Sequence, residues 1–351
     1  MFRHAETTFE ARRNRWGRRD AGRRPVRLLR SLFATLAVVL SAAAVPAAAQ
    51  DAPLRVVTTV GMLADAAERV GGACVAVEAL MGPGTDPHLY QARASDVARL
   101  QDAELILYVG LTLEGRLGDV LERFGRQTPT VAVAERAVPA DRLLDDPDFE
   151  AGHDPHVWMS PRLWAAAADE VAAAIAERRP ECAEQVRDGA AAFRTEALAL
   201  HDWIAEAIAT IPEERRVLVT AHDAFGYYGD AFGLDVVGIQ GISTEAEPSI
   251  ADIREVANLL AERRVPALFL ETTVGDRAVR AVLDAARDRG HHARLGGTLY
   301  GDAMGEAGTA EGTWIGMLHA NTVAIVGALG GTVPPLPEAL ADWADAHGAD
   351  R

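Results

Sequence analysis

Short apolar runs recur along the first part of the chain and alternate with stretches whose apolar residues are spaced three and four apart. The runs are LRVVTTV (54–60), VAVEALM (75–81), AELILYVG (103–110) and TVAVAE (130–135). The stretches between them, such as GMLADAAERVGG and ASDVARLQDA, have the spacing of amphipathic helices. Apolar strands separated by helices are typical of a parallel sheet covered on both faces. The pattern therefore predicts a first α/β lobe.

A long helical pattern then interrupts the alternation. No proline occurs between Cys182 and Ile211, and the apolar residues step by four and three throughout, which predicts one helix roughly 40 Å long with one buried face. The alternation resumes with RRVLVTAH (215–222), LDVVGIQG (234–241), ALFLETT (267–273) and ARLGGTLYG (293–301). The predicted fold class is α/β, with two lobes, each a parallel β-sheet flanked by helices, joined by one long rigid α-helix.

The boundaries that follow are 50–181 for an N-terminal lobe, 182–211 for the linking helix and 212–351 for a C-terminal lobe. Because a continuous helix resists bending, we expect small tilts between the lobes rather than a large closure.

Residues 1–49 have the composition of a signal peptide. They contain ten arginines and three acidic residues, then an apolar run from Ser31 to Val45, and they end in three alanines. The Ala-x-Ala pattern predicts cleavage near Gln50 or Asp51. The apolar run is short for a membrane span and no cysteine lies near the cleavage site, so we expect a free periplasmic protein with no direct membrane insertion. A start further downstream and a twin-arginine interpretation of GRRPVRLL remain alternatives.

The formal net charge is −16, and all 35 basic residues are arginines. Loss of the arginine-rich signal makes the remaining chain still more acidic. Such a surface argues against nucleic acid and anionic membranes as partners, and it suits cations or a basic docking face. The two cysteines, Cys74 and Cys182, lack C-x-x-C spacing. An exported chain permits a disulfide between them, and two buried thiols are the alternative.

Four polar residues lie at the predicted carboxyl ends of strands, where parallel α/β sheets bind ligands. His88 in MGPGTDPHLY follows the second strand, His156 in HDPHVWMSP follows the fourth, His222 closes VLVTAH, and Asp302 follows GTLYG. Three imidazoles and one carboxylate suit zinc, manganese or iron. In TDPH and HDPH a proline stiffens the backbone before the histidine, and an aspartate is placed to bond nearby amides. The set predicts a metal site in the cleft between the lobes.

Each of the four residues also has a simpler interpretation. His88 would be a solvated histidine in a turn, His156 a turn cap, His222 a core histidine, and Asp302 the N-cap of a helix beginning near Ala303. The arrival of all four at strand ends, two from each lobe, favours the metal site.

Other side chains near these loops are expected to have smaller roles. Glu271 ends ALFLE and is expected to orient a ligand histidine. His153 is expected to be a solvated loop residue, with a metal-capturing role at the cleft mouth as the alternative. The remaining histidines are expected at the surface (His291, His292) or within helices (His201, His319), and nearby aromatic residues in the core or cleft wall (Trp158, Trp164, Tyr90, Phe225).

From about Leu54 to Leu329 the sequence resembles the zinc/manganese substrate-binding proteins of bacterial ABC transporters, solute-binding protein family 9 (cluster A-I). The resemblance rests on GPGTDPHLYQARASDVARLQDAELILYVGLTLE, DPHVWMSP, VTAHDAFGYYGDAFGL, GIQGISTEAEPSIADI and LYGDAMGEAGTAEGTWIGMLHAN, in that order. It implies two lobes with a rigid linking helix, and metal ligands at His88, His156, His222 and Asp302.

The resemblance implies a periplasmic receptor that captures Zn²⁺ or Mn²⁺ as cargo and delivers it to an ABC transporter membrane permease with its cytoplasmic ATPase. Fe²⁺ is less favoured. Family members that resemble dedicated manganese binders carry glutamate at the position of His222, so this chain differs from them. It also differs from dedicated zinc members, because their long histidine-rich loop is replaced here by a short acidic stretch that contains His153. A monomer without catalytic activity is expected. The alternatives are a zinc metallohydrolase with Glu271 as base and a surface adhesion protein.

Overall fold

Four parallel strands form the sheet of the first lobe in the computed structural model, which describes residues 52–145, 149 and 152–349. The predicted signal peptide lies outside these residues. The strands are β1 (Leu54–Thr58), β2 (Val75–Ala79), β3 (Leu105–Tyr108) and β4 (Thr130–Ala132), in the order β2-β1-β3-β4. The helices are α1 (Gly61–Gly71), α2 (Ala94–Asp102), α3 (Leu117–Phe124), α4 (Val133–Ala137) and α5 (Pro161–Arg178). The parallel pairing directs all carboxyl ends to one edge of the sheet.

The fourth strand is shorter than its sequence pattern indicates. TVAVAE is a strand only over β4, and the chain is helical from Val133, so the prediction of strand as far as Glu135 is wrong. β4 pairs with β3 up to the pair Tyr108 and Ala132. Beyond Tyr108 the partner chain turns through positive φ, at 84° for Gly110 and 53° for Leu111, so β4 has no strand to follow.

The predicted linking helix is α6 (Ala183–Ala209), which has 27 residues and is therefore about 40 Å long. Its buried side includes Val186, Phe193, Leu200 and Ile204, as the apolar spacing predicts. α6 packs against α5 and α1 of the first lobe and against α10 (Trp314–Leu329) of the second. The helix is thus supported along its length by both lobes.

The second lobe again contains parallel strands. These are β5 (Val217–His222), β6 (Asp235–Gln240), β7 (Ala267–Glu271) and β8 (Arg294–Leu299), paired as β5 with β6 and β7 with β8, with β5 in contact with β7. The remaining helices are α7 (Gly226–Phe232), α8 (Ile250–Arg263), α9 (Arg277–Arg287) and α11 (Ala341–His347). No helix within the described ranges combines the length and apolar character that a membrane crossing requires.

Two long-range features tie the first lobe to the rest of the molecule. Cys74 and Cys182 form a disulfide with their Cα atoms 6.3 Å apart, which links the segment before β2 to the start of α6. Of the two alternatives left open by the spacing, the structure has the disulfide. The larger apolar core also runs without a break from Leu54 in β1 through Phe193 in α6 to Trp314 in α10. The domain boundaries at 181/182 and 211/212 stay a prediction.

Candidate metal centre

The four sequence-predicted residues converge on one buried point. One potential ligand atom from each of His88, His156, His222 and Asp302 lies within 4.8 Å of every other, and all four side chains are buried. His222 is the last residue of β5, while the other three occupy loops beyond the ends of strands. The first lobe contributes two of the histidines, and the second lobe contributes the third histidine and the carboxylate.

The separations between these atoms match a preformed metal site. Nε2 of His88 lies 3.3 Å from Nε2 of His156. Oδ1 of Asp302 lies 3.1 Å from Nε2 of His156, and Oδ2 lies 3.2 Å from Nε2 of His222. Ligands about 2.0–2.1 Å from a tetrahedral ion are about 3.3 Å apart from one another. A divalent first-row ion therefore fits between these atoms with little rearrangement.

The two Asp-Pro-His turns share the same backbone geometry. Oδ1 of Asp86 accepts the backbone N–H of His88 at 2.9 Å, and Oδ1 of Asp154 accepts that of His156 at 2.8 Å. The expected bonding of each aspartate to nearby amides is thus present. Asp154 also lies 2.7 Å from Nδ1 of His156, so that Nε2 faces the other ligands. A carboxylate at Nδ1 selects the tautomer whose Nε2 can bind metal.

Glu271 holds the third histidine from a neighbouring strand. Its Oε2 lies 2.8 Å from Nδ1 of His222, and its Oε1 accepts the backbone N–H of the same residue at 2.8 Å. Gly301 leaves the space for this carboxylate, since a Cβ there would lie 2.3 Å from Oε2. The expectation that Glu271 orients a ligand histidine agrees with these contacts.

Charge in the cluster is unevenly distributed. Burial lowers the pKa of His88 to about 3, even though the Asp302 carboxylate opposes the shift. Burial also acts to lower the pKa of His156, but the carboxylates of Asp154 and Asp302 outweigh it and raise this pKa to about 9. In the same way Glu271 and Asp302 outweigh burial and raise the pKa of His222 well above its ordinary value. Without metal, protons on two histidines therefore offset part of the charge of the buried carboxylates.

Several buried polar atoms at the centre have no hydrogen-bond partner within the described residues. They are both carboxylate oxygens of Asp302, both ring nitrogens of His222 and Oε2 of Glu271, whose short contacts lack hydrogen-bond geometry. Because an unsatisfied buried polar atom is costly, such atoms indicate a missing binding partner. A cation bound between Asp302 and His222 would satisfy Nε2 and the carboxylate together.

The sequence is matched by the family model described as ZnuA: Zinc-uptake complex component A periplasmic, over residues 56–328. The chain belongs to this family. Manganese-binding lipoprotein MntA of Bacillus subtilis (strain 168) is 43% identical over 298 residues, which are 85% of this chain and 97% of the relative. Zinc-binding protein TroA of Treponema pallidum (strain Nichols) is 43% identical over 284 residues, which are 81% of this chain and 91% of the relative.

A solved structure of the periplasmic zinc binding protein TroA from Treponema pallidum superposes with a TM-score of 0.76 at 42% identity. The superposition covers 79% of this chain and 99% of the solved chain. The α/β fold with helix-flanked parallel sheets is thereby confirmed, as is the resemblance to metal-ion substrate-binding proteins.

Other histidines of this ZnuA-family chain lie away from the centre. His153 pairs with Asp145 at 2.6 Å in a partly exposed loop and does not join the four residues. His292 is exposed as expected, and His291 is partly exposed, with Nε2 2.7 Å from the carbonyl oxygen of Val265. His201 and His319 lie in α6 and α10 as expected.

One alternative for Asp302 is also wrong. No helix begins near Ala303, because the chain continues in turns until α10, which is capped by the Thr313 hydroxyl. Asp302 is therefore free of a capping role and faces the three histidines.

The residues that sequence reasoning missed form hydrogen bonds between the lobes. Nε1 of Trp158 donates to the carbonyl oxygen of Gly301 at 3.0 Å, directly before Asp302. The Tyr227 hydroxyl donates to the carbonyl oxygen of Asp154 at 3.0 Å. Trp158 is among the aromatic residues expected in the core or cleft wall, and it is fully buried. No local signal in the sequence identifies its partner, because the partner belongs to the opposite lobe.

Proposed function

We propose that this chain is the periplasmic substrate-binding component of an ABC importer that captures a divalent transition metal, Zn²⁺ or Mn²⁺, in the cleft between its lobes. His88, His156, His222 and Asp302 bind the ion, which is cargo rather than a resident cofactor. The protein then delivers it to the membrane permease. Membership of a family described as a zinc-uptake component supports this function, as do relatives named for manganese and zinc binding.

The observation that carries the proposal is the spacing of the four ligand atoms. Three contacts among these side chains measure 3.1–3.3 Å and that between His88 and Asp302 measures 3.7 Å, close to the spacing of ligands around one ion. Neutral imidazoles favour zinc, while a carboxylate that offers both oxygens also accommodates manganese. Ligand chemistry thus favours first-row transition metals as cargo, and the choice among them depends on supply and on the permease.

A hydrolytic role for the same centre receives no support from the geometry. Its candidate base, Glu271, directs both oxygens to His222. A metallohydrolase also needs an open coordination position for water, whereas here four buried side chains would surround a bound ion. We infer a transport protein without catalytic activity, which acts as a monomer after removal of the signal peptide and docks on a permease with its ATPase.

Metal analysis and competitive titration test the function. Purified protein stripped with chelator is titrated with Zn²⁺ and Mn²⁺, and we expect one tightly bound equivalent. His222→Ala is expected to lose it or bind far more weakly, because it removes a buried ligand and leaves the Glu271 carboxylate without its partner. His292→Ala, which changes an exposed histidine outside the centre, is the matched control. Absence of binding by the wild type, or equal binding by His222→Ala, would contradict the proposal.

A further inference from the structure

One carboxylate joins the first ligand histidine to the opposite lobe. Oδ1 of Asp86 accepts the backbone N–H of His88 at 2.9 Å, while Oδ2 accepts the hydroxyl of Thr244 at 2.6 Å. Asp86 and His88 belong to the first lobe. Thr244 belongs to the second, in the segment between β6 and α8, and it is only 7% exposed. The hydrogen bond between Thr244 and Asp86 is thus a partly buried contact between the lobes.

Thr244 is itself fixed to the strands that carry another ligand. Gln240, the last residue of β6, donates from Nε2 to the carbonyl oxygen of Thr244 at 2.9 Å. In the β5–β6 ladder Gln240 lies opposite His222. A continuous chain of contacts therefore runs from His222 through Gln240, Thr244 and Asp86 to His88, and it connects ligands of the two lobes.

The two Asp-Pro-His turns differ in the groups that their aspartate oxygens bind. Asp154 uses one oxygen for both the backbone N–H and Nδ1 of His156, so the imidazole is oriented from within its own turn. Asp86 holds the backbone of His88 and directs its other oxygen to Thr244. The position of His88 therefore depends on where the second lobe lies.

We propose that the Thr244–Asp86 hydrogen bond is a latch between the lobes that positions His88 and sets the rate of metal release. This inference rests on the function proposed above. A small tilt of the second lobe that breaks the bond frees the turn carrying His88, and an ion that loses one of its four ligands dissociates faster. Thr244 and Asp86 are positioning residues, because they act through His88.

Thr244→Val tests the latch, since it removes the hydroxyl at nearly constant side-chain volume. Purified protein loaded with one equivalent of Zn²⁺ is mixed with excess EDTA in a stopped-flow instrument. We expect the dissociation rate to rise about tenfold, the effect of losing one hydrogen bond to a charged group. The association rate stays near the wild-type value, and Thr244→Ser restores slow release. Thr195→Val, on an exposed position of α6, is the matched control and releases metal at the wild-type rate.

A second pair of variants separates the latch from a general loss of packing. In an Asp86→Ala background, Thr244→Val is expected to cause no further change in release rate, because the acceptor is already absent. Independent effects that multiply in the double variant would overturn the latch, as would fast release by Thr244→Ser or wild-type release by Thr244→Val. Circular dichroism checks folding, and Thr244→Ala replaces Thr244→Val if the latter does not fold. Wild-type protein that takes up no Zn²⁺ contradicts the proposed function instead.

Discussion

Glu271 contacts His222 twice, through Nδ1 of the ring at 2.8 Å and through the backbone N–H at 2.8 Å. The two residues end the neighbouring strands β7 and β5. The second lobe therefore sets both the backbone position and the ring orientation of its candidate ligand histidine. A ligand prepared in this way binds more tightly than one that must be ordered on binding.

Glu271→Gln is expected to lower metal affinity by about 10–100-fold, the range for loss of an outer partner of a metal ligand. Glutamine keeps one acceptor oxygen, but its NH2 group would face either Nδ1 or the backbone N–H of His222, where the carboxylate has an oxygen. Competitive titration with a chromophoric chelator measures the effect. Glu262→Gln, at an exposed position in α8, is the control. Equal affinities of the wild type and Glu271→Gln would show that the carboxylate does not support the ligand.

Gly301→Ala is expected to weaken metal binding by at least about tenfold, because the same outer partner is displaced. The new Cβ would lie 2.3 Å from Oε2 of Glu271 and 3.3 Å from Cε1 of His222, so one of the two side chains must move. Gly275→Ala is a matched control, since a Cβ there meets no atom within 4 Å. The same titration compares the two variants, and a larger effect at Gly275 would contradict the steric explanation.

Metal affinity is expected to fall as the pH falls from about 9 towards 6. The pKa of His156 is raised to about 9 and that of His222 is also raised, so both rings carry protons near pH 7 in the metal-free protein. At a pH below its raised pKa each imidazole is protonated, and this proton must leave before the ring can bind metal. Calorimetric titration at pH 7 in two buffers of different ionisation enthalpy should report release of roughly two protons for each ion bound. A pH-independent affinity would exclude this competition.

Removal of the disulfide is expected to destabilise the protein without weakening metal binding. The bond between Cys74 and Cys182 spans 108 residues, and loss of such a cross-link costs about 2–5 kcal/mol in free energy of unfolding. Cys74 precedes β2, at the end of the sheet opposite the metal centre. Denaturant unfolding of a Cys74→Ser, Cys182→Ser variant measures the loss, and a metal titration of the same sample provides the control. Unchanged stability would contradict a structural role for the bond.

The fold and the four candidate ligands could be predicted from the sequence because both depend on local signals. The spacing of the apolar residues and the length of each segment distinguish the strands from the helix of 27 residues. The polar residues that follow parallel strands come together because the carboxyl ends of these strands lie at one edge of the sheet. β4 ends earlier than predicted because its partner strand β3 turns away after Tyr108. Local pattern carries no information about where a neighbouring strand stops.

The contacts across the cleft could not be predicted for a related reason. The bonds from Thr244 to Asp86 and from Trp158 to Gly301 join residues far apart in the chain. They depend on how the two sheets are placed relative to each other, which neither periodicity nor motif spacing specifies. The disulfide is similar, since its spacing in the sequence allowed two outcomes and only the tertiary distance decides between them.

The position of Trp158 gives the protein an optical reporter of its own. The indole ring lies 5.3 Å from the ring of His156, and its N–H bonds to the residue before Asp302, so it contacts both lobes beside the candidate ligands. We expect exchange of the His156 proton for a metal ion to change the electric field at the indole and therefore its emission. The chain contains five other tryptophans, so the signal is a difference on the background of their emission. Uptake and release can thus be followed in unlabelled protein, with Trp158→Phe as the blank.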